Sequence, residues 1–164
     1  MERSSEQSEE AVYKIRTLQE AKALAAHLAA AHPEPDRVVI GLTELLVNAV
    51  EHGNLGITFR EKAELLERGT LQEEIERRLA RPDLCARRVR VTLRREAGCL
   101  STRIEDEGGG FDWRPYLEVD PERALGPNGN GIAIAREMSF DDLAYQGRGN
   151  VVVALVRLSP DTQP

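Results

Sequence analysis

Glu44-Leu45-Leu46-Val47-Asn48-Ala49-Val50-Glu51-His52-Gly53-Asn54 reads as a helix together with its end. With Glu44 set at zero and a step of about 100° per residue, Asn48 falls near about 40° and Glu51 near about −20°. Val38, Leu42, Leu45, Leu46 and Ala49 occupy the arc between about 100° and 200°. One stripe is therefore made for a core, and the other sets a carboxylate beside an amide. His52 continues the polar stripe at about 80°, and Gly53 is a natural C-terminal stop. Gly41, on the same side, offers no side chain, so something could approach the backbone closely there. Spacing alone is better met by a surface helix whose polar face meets water.

Outward from this helix the chain alternates between helical and strand patterns. His32-Pro33-Glu34-Pro35 breaks the chain upstream and predicts a helix start near Asp36. Before the break, Ala11 to Arg16 alternates as a strand, and Thr17 with Glu20 forms a capping-box pattern for a helix running to about Ala31. Residues 1–10 are polar and acidic without periodicity and read as a disordered tail. Downstream, residues 57–82 are rich in Glu, Arg and Leu, with Leu71, Ile75 and Leu79 four apart. They predict one or two amphipathic helices, broken at Gly69 and stopped by Pro82. Arg87 to Glu96 and Cys99 to Asp106 alternate around an Ala97-Gly98 turn, as a hairpin does. A short apolar helix from Gly131 to Met138 and a second hairpin, 141–146 with 150–158, complete the pattern. The expectation is an α+β fold over residues 11–158: a two-layer sandwich with a mixed, mainly antiparallel sheet and helices on one face.

The 164 residues suit one domain and carry 22 Lys and Arg against 28 Asp and Glu, a net charge of −6. That balance argues against general phosphate-backbone binding, so no direct nucleic-acid contact is expected. No apolar run approaches the ~20 residues that span a bilayer, and Met1 to Glu6 has no signal core, so a cytoplasmic protein without a membrane partner is expected. Cys85 and Cys99 lack metal-type spacing and read as small, partly buried thiols.

Two glycine clusters follow the hairpin. Asp106-Glu107-Gly108-Gly109-Gly110-Phe111 begins where an apolar strand ends, and its missing Cβ atoms would let a flat ligand or a phosphate reach the main chain. Gly126-Pro127-Asn128-Gly129-Asn130-Gly131 runs into a helix start, where free N–H groups and the positive end of the dipole suit phosphate. Each alone is a weak signal, but together with the helix the order is specific. Glu44 to Asn54 resembles the N box of the GHKL ATPases, the fold shared by gyrase, Hsp90, MutL and histidine-kinase ATPase domains. Asp106-x-Gly108-x-Gly110 resembles the family's first glycine box, Gly129-x-Gly131 its second, and Gly149-Asn150-x-Val152 its final glycine turn. The resemblance spans about residues 10–158, and the Asn-Ala-x-x-His-Gly wording is most similar to anti-sigma-factor serine kinases of the RsbW and SpoIIAB type. Glu107 to Trp113 and the insert also resemble the kinase-like domain of some SpoIIE-type phosphatases.

That resemblance implies ATP and Mg²⁺ as ligands. Asn48 would hold Mg²⁺, Glu44 would be the general base, and Asp106 would accept the adenine amino proton. Gly108 and Gly110 would leave room for the nucleotide, and His52 belongs with the binding set. Residues 112–128 would form a lid, mobile without nucleotide, with Asn128, Gly129, Asn130 and Gly131 turning N–H groups to the phosphates. Arg114 and Arg123 are candidates to neutralise the γ-phosphate, against the plainer reading of solvated arginines. The insert at 57–82, absent from minimal anti-sigma kinases, is either a surface decoration or a docking helix. The implied function is a serine/threonine protein kinase acting as an anti-sigma-type switch. It would phosphorylate a small anti-anti-sigma-like antagonist and act on a sigma factor or another regulator, and a homodimer is compatible with this. The alternatives are a non-catalytic ATP-dependent binding module, the kinase-like domain of a SpoIIE-type phosphatase, and the catalytic half of a sensor histidine kinase. The last lacks a preceding helical pair with a phosphoacceptor histidine.

Overall fold

A computed structural model describes residues 8–124 and 129–159. The chain opens with strand β1 (Glu9–Ile15), two residues earlier than the alternation predicts. Cross-strand pairing explains the difference: Glu10 lies opposite Arg94 and ion-pairs with it at 2.6 Å, so acidic residues that look like a tail in composition are held in the sheet. Helix α1 (Leu18–Ala29) starts at the expected capping box, with both the Thr17 and the Glu20 side-chain bonds made. Helix α2 (Pro35–Asn48) places its proline in the first turn, where a missing N–H costs nothing.

The amphipathic insert is two helices, α3 (Phe59–Arg68) and α4 (Leu71–Leu79). Gly69 separates them in the left-handed conformation, with φ of 69°. Strands β2 (Val89–Glu96) and β3 (Cys99–Glu105) form the first hairpin. A single 3₁₀ turn (Arg114–Tyr116) and the short helix α5 (Pro121–Ala124) follow. Helix α6 (Gly131–Ile134) continues as a π-helical turn (Ala135–Ser139), and β4 (Asp142–Gln146) and β5 (Val151–Arg157) form the second hairpin.

The five strands lie in the order β1-β2-β3-β5-β4, and every neighbouring pair is antiparallel. The expected mixed sheet is corrected on this point. Two hairpins fix two of the pairings; the helical excursion after β1 returns β2 against β1, and the one after β3 leaves room for β5 to lie between β3 and the edge strand β4. Alternate residues of the sheet, among them Val89, Val91, Ile104, Val152, Ala154 and Val156, join the apolar stripes of α1 and α2 in one core. The other sheet face carries Arg90, Thr92, Arg94, Ser101 and Arg103, none of them buried, as a one-sided α+β layer requires.

Gly41 is explained by this packing. Its N–H donates to Ser139 Oγ at 2.9 Å, and that hydroxyl donates to the Arg37 carbonyl at 2.8 Å, bridging one step of the α2 ladder. A Cβ at residue 41 would overlap Ser139 and Phe140, so the close approach there comes from the protein itself. Cys85 is exposed, not half-buried as expected, because it lies in the turn beyond Pro82; Cys99 is half-buried, and both thiols are free. Among the described residues no helix is long and apolar enough to cross a membrane.

Candidate functional site

Helix α2 does not keep its period to Gly53. At Ala49 it widens into a π-helical turn (Ala49–Asn54), closed by a bond from Leu55 N–H to the Val50 carbonyl five residues back. The wider turn corrects the helical-wheel placement of Glu51. Its side chain leaves the stripe of Glu44 and Asn48, is 3% exposed, and pairs with Lys62 of α3 at 2.7 Å. His52 and Gly53 are carried round to line a cavity together with Asn48.

That cavity has a volume of about 640 Å³, within the range of roughly 300–1,000 Å³ usual for a small-molecule site. Asn48, His52, Asp106 and Gly110, all singled out by sequence, border it. Asn48 makes no side-chain hydrogen bond among the described residues, so its amide is available to a ligand. Gly108 lies just behind the wall, where a Cβ would overlap the Gly53 carbonyl; a Cβ on Gly53 would in turn overlap the Asp106 carboxyl. The end of the helix and the first glycine cluster are thus in direct backbone contact. Asn54 ties them further, its Oδ1 accepting from Glu107 N–H at 2.7 Å. Gly110, at φ 83°, and Gly149, at φ 98°, bring the cluster against the final glycine turn, with Phe111 N–H bonded to the Arg148 carbonyl at 2.9 Å.

Asp106 is the electrostatic centre. Burial raises its pKa to about 6, against the Gly108 N–H bond at 2.8 Å and the charges of Arg148 and Arg87, which favour the carboxylate. Desolvation wins because the neighbouring walls are apolar. Tyr145, on the same cavity, is pushed well above the usual phenol range by burial and by the Asp106 charge. His52 is held neutral in tendency: burial lowers its pKa, and its Nδ1 bonds the Ile57 carbonyl. A carbonyl can only accept, so Nδ1 carries the proton.

Of the second glycine cluster, the described residues Gly129, Asn130 and Gly131 stand apart from the cavity. Gly131 packs against the Glu44 carboxylate so closely that a Cβ there would overlap Oε2, and neither residue borders the cavity. Asn130 does not turn its side chain toward the cavity. It exchanges two hydrogen bonds with the Asp120 backbone, at 3.2 and 3.3 Å, and so anchors segment 112–124. Asn128 lies outside the described residues. The candidate arginines are engaged elsewhere: Arg123 donates to the Pro115 and Glu118 carbonyls, at 3.0 and 2.9 Å, and Arg114 pairs with Asp112 at 3.0 Å.

Sequence reading passed over the aromatic walls. Phe59, Phe111, Tyr116 and Tyr145 all border the cavity, in a chain with only three Phe, three Tyr and one Trp. The available signal was Phe111-x-Trp113-x-x-Tyr116, aromatic residues crowded directly after a glycine cluster in an aromatic-poor chain. No protein-family model matches the chain, and no curated protein matches it.

Proposed function

We propose that the chain is an ATP-binding domain of the GHKL type, working as an anti-sigma-type serine/threonine protein kinase. The observation that carries the reading is the convergence on one cavity. A half-buried carboxylate, Asp106, stands behind glycine backbone on both sides, with the unbonded Asn48 amide opening into the same space. A buried acceptor selects a base with a donor at the matching edge, which favours adenine over guanine. The apolar and aromatic walls suit a flat ring.

Asn48 fits a single-ligand role toward Mg²⁺, which keeps several waters and takes its other oxygens from phosphates. Bound there, Mg²⁺ would neutralise charge on the transferred phosphoryl group. Glu44, one turn before Asn48 and beside Gly131, would take the proton from an attacking hydroxyl delivered by a partner protein, a small antagonist in the anti-sigma reading. Arg60 and Arg87 border the cavity and supply local positive potential in a protein of net charge −6.

Titration calorimetry of Mg-ATP against the wild type, Asn48→Ala and Asp106→Asn tests the site. Affinity should fall in both variants, and unchanged affinity in both would sink the assignment. Incubation with γ-labelled ATP and a candidate antagonist tests the kinase: label should reach a serine or threonine only with Glu44 intact. A second reading, ATP-dependent partner binding without transfer, draws support from Glu44 lying outside the cavity border. Full regulation of a partner by Glu44→Ala would favour it.

A further inference from the structure

The insert supplies a wall of the site, and this wall carries an inference resting on the nucleotide reading above. Phe59, the first residue of α3, stacks on His52 with centroids 3.9 Å apart and planes 19° from parallel. It also stacks on Tyr116 at 4.4 Å and 19°. Two rings cannot share one face of a third at those separations without overlapping, so Phe59 is sandwiched. Arg123 caps the column, its guanidinium carbon 4.9 Å from the Tyr116 centroid. One column therefore joins the end of the N-box helix, the insert and segment 112–124.

The Phe59 side of the column is rigidly placed. Thr58 caps α3 with a complete capping box, the Ile57 carbonyl bonds His52, and the buried Glu51–Lys62 pair ties α3 to the π-helical turn. Arg78 of α4 reaches both the Leu55 carbonyl, at 3.0 Å, and Glu61, at 2.6 Å. The Tyr116 side is tied more lightly, to a 3₁₀ turn held by an Arg123 contact to the Pro115 carbonyl and an Arg136 contact to the Leu117 carbonyl just after it. Phe59 and Tyr116 border the same cavity as Asp106.

We propose that Phe59 is the base-stacking residue of the site, and that Tyr116 is its internal stand-in, a ring that must leave Phe59 before a nucleobase can lie there. Edge recognition by Asp106 and face recognition by Phe59 then act on the same heteroaromatic ring. The insert is an integral wall of the site, and base entry is coupled to release of segment 112–124.

The two rings are separated by opposite signs. Phe59→Leu should weaken ADP binding by about threefold, the roughly tenfold value of an aromatic pair less the competing Tyr116 stack that is lost with it, whereas Tyr116→Leu, which removes only the competitor, should strengthen it by about threefold. Phe59→Tyr keeps the ring and should bind as the wild type, which separates lost stacking from lost fold. Trp113, the sole tryptophan, lies three residues before Tyr116 and reports the segment. Acrylamide should quench it more after ADP is added to the wild type, and equally in Tyr116→Leu without ADP. Weaker or unchanged ADP binding by Tyr116→Leu overturns the stand-in. Unchanged binding by Phe59→Leu overturns the stacking role, and if Asp106→Asn still loses ADP the nucleotide reading survives alone. A wild type that binds neither ADP nor ATP overturns both.

Discussion

At the Asp106 end of the site the groups are locked by one another, whereas at the Glu44 end they meet few partners. Asp106 sits against Gly53, bonds Gly108 N–H and is buried enough to raise its pKa to about 6. Around it, Phe59, His52 and Tyr116 stack, and Glu51 and Lys62 pair beneath the insert. Glu44 touches Gly131 and makes no side-chain hydrogen bond among the described residues, and Asn48 makes none. Recognition of a flat ring needs a prepared cavity, because each buried polar group must be placed in advance. Groups that act on a transferred phosphoryl and an arriving hydroxyl need free valences instead. On the function proposed above, specificity would be built in by folding, and chemistry would wait for partners.

The largest expected effect lies at the open end. Glu44→Gln should lower phosphoryl transfer by about 10²–10⁴-fold while changing urea-unfolding stability by less than about 0.5 kcal/mol. A loss of stability above about 2 kcal/mol would erase the contrast by making Glu44 a structural residue. At the locked end, Lys62→Met leaves Glu51 buried and unpaired and should cost about 3 kcal/mol. Adding Glu51→Gln to that variant should recover most of the loss, which a urea-melt double-mutant cycle can read. Gly108→Ala drives a methyl into the Gly53 carbonyl and should cost about 2–3 kcal/mol. Its neighbour Gly109 has open space around it, so Gly109→Ala should stay within about 0.5 kcal/mol. Equal costs for the two would contradict the close contact between the clusters.

Asp106→Asn sharpens the comparison further, because it should act on binding and stability in opposite directions. The folded pKa of about 6 lies above the ordinary value of 3.8, so ionised Asp106 opposes folding. This cost is absent below about pH 4, grows between about pH 4 and 6, and is complete above pH 6. The variant should therefore be more stable than the wild type by up to about 3 kcal/mol at pH 7.5, and equal to it near pH 4. It should also lose adenine nucleotide. In the wild type, nucleotide affinity should fall as pH drops through about 6, since protonated Asp106 no longer accepts as a carboxylate. Calorimetry and thermal melts across pH 4–8 measure both trends.

Much of the fold is legible along the chain because local chemistry decides it. The Thr17–Glu20 capping box, the Gly69 break, the glycine turns of both hairpins and the alternation of β2 and β3 appear where the residues place them. These features depend on neighbours within a few positions. The candidate site is partly legible for the same reason. Asn48, His52, Asp106 and Gly110 do border one cavity, while the Asn130 side chain bonds the Asp120 backbone and the close approach at Gly41 is made by Ser139. Those two outcomes turn on residues 10 and 98 positions away, beyond any local pattern.

By itself the sequence determined the order of elements, the apolar stripe of α2, and the glycines where backbone must approach backbone, since periodicity and a missing Cβ are properties of the residues themselves. Only the tertiary structure decided that α2 ends in a π-helical turn that turns Glu51 inward to Lys62. It alone decided that every strand pair is antiparallel, and that the insert walls the site through Phe59. The physical reason is the same each time. A buried charge must find its counter-ion and an aromatic ring its stacking partner across the fold, and those distances exist only once the chain has closed on itself.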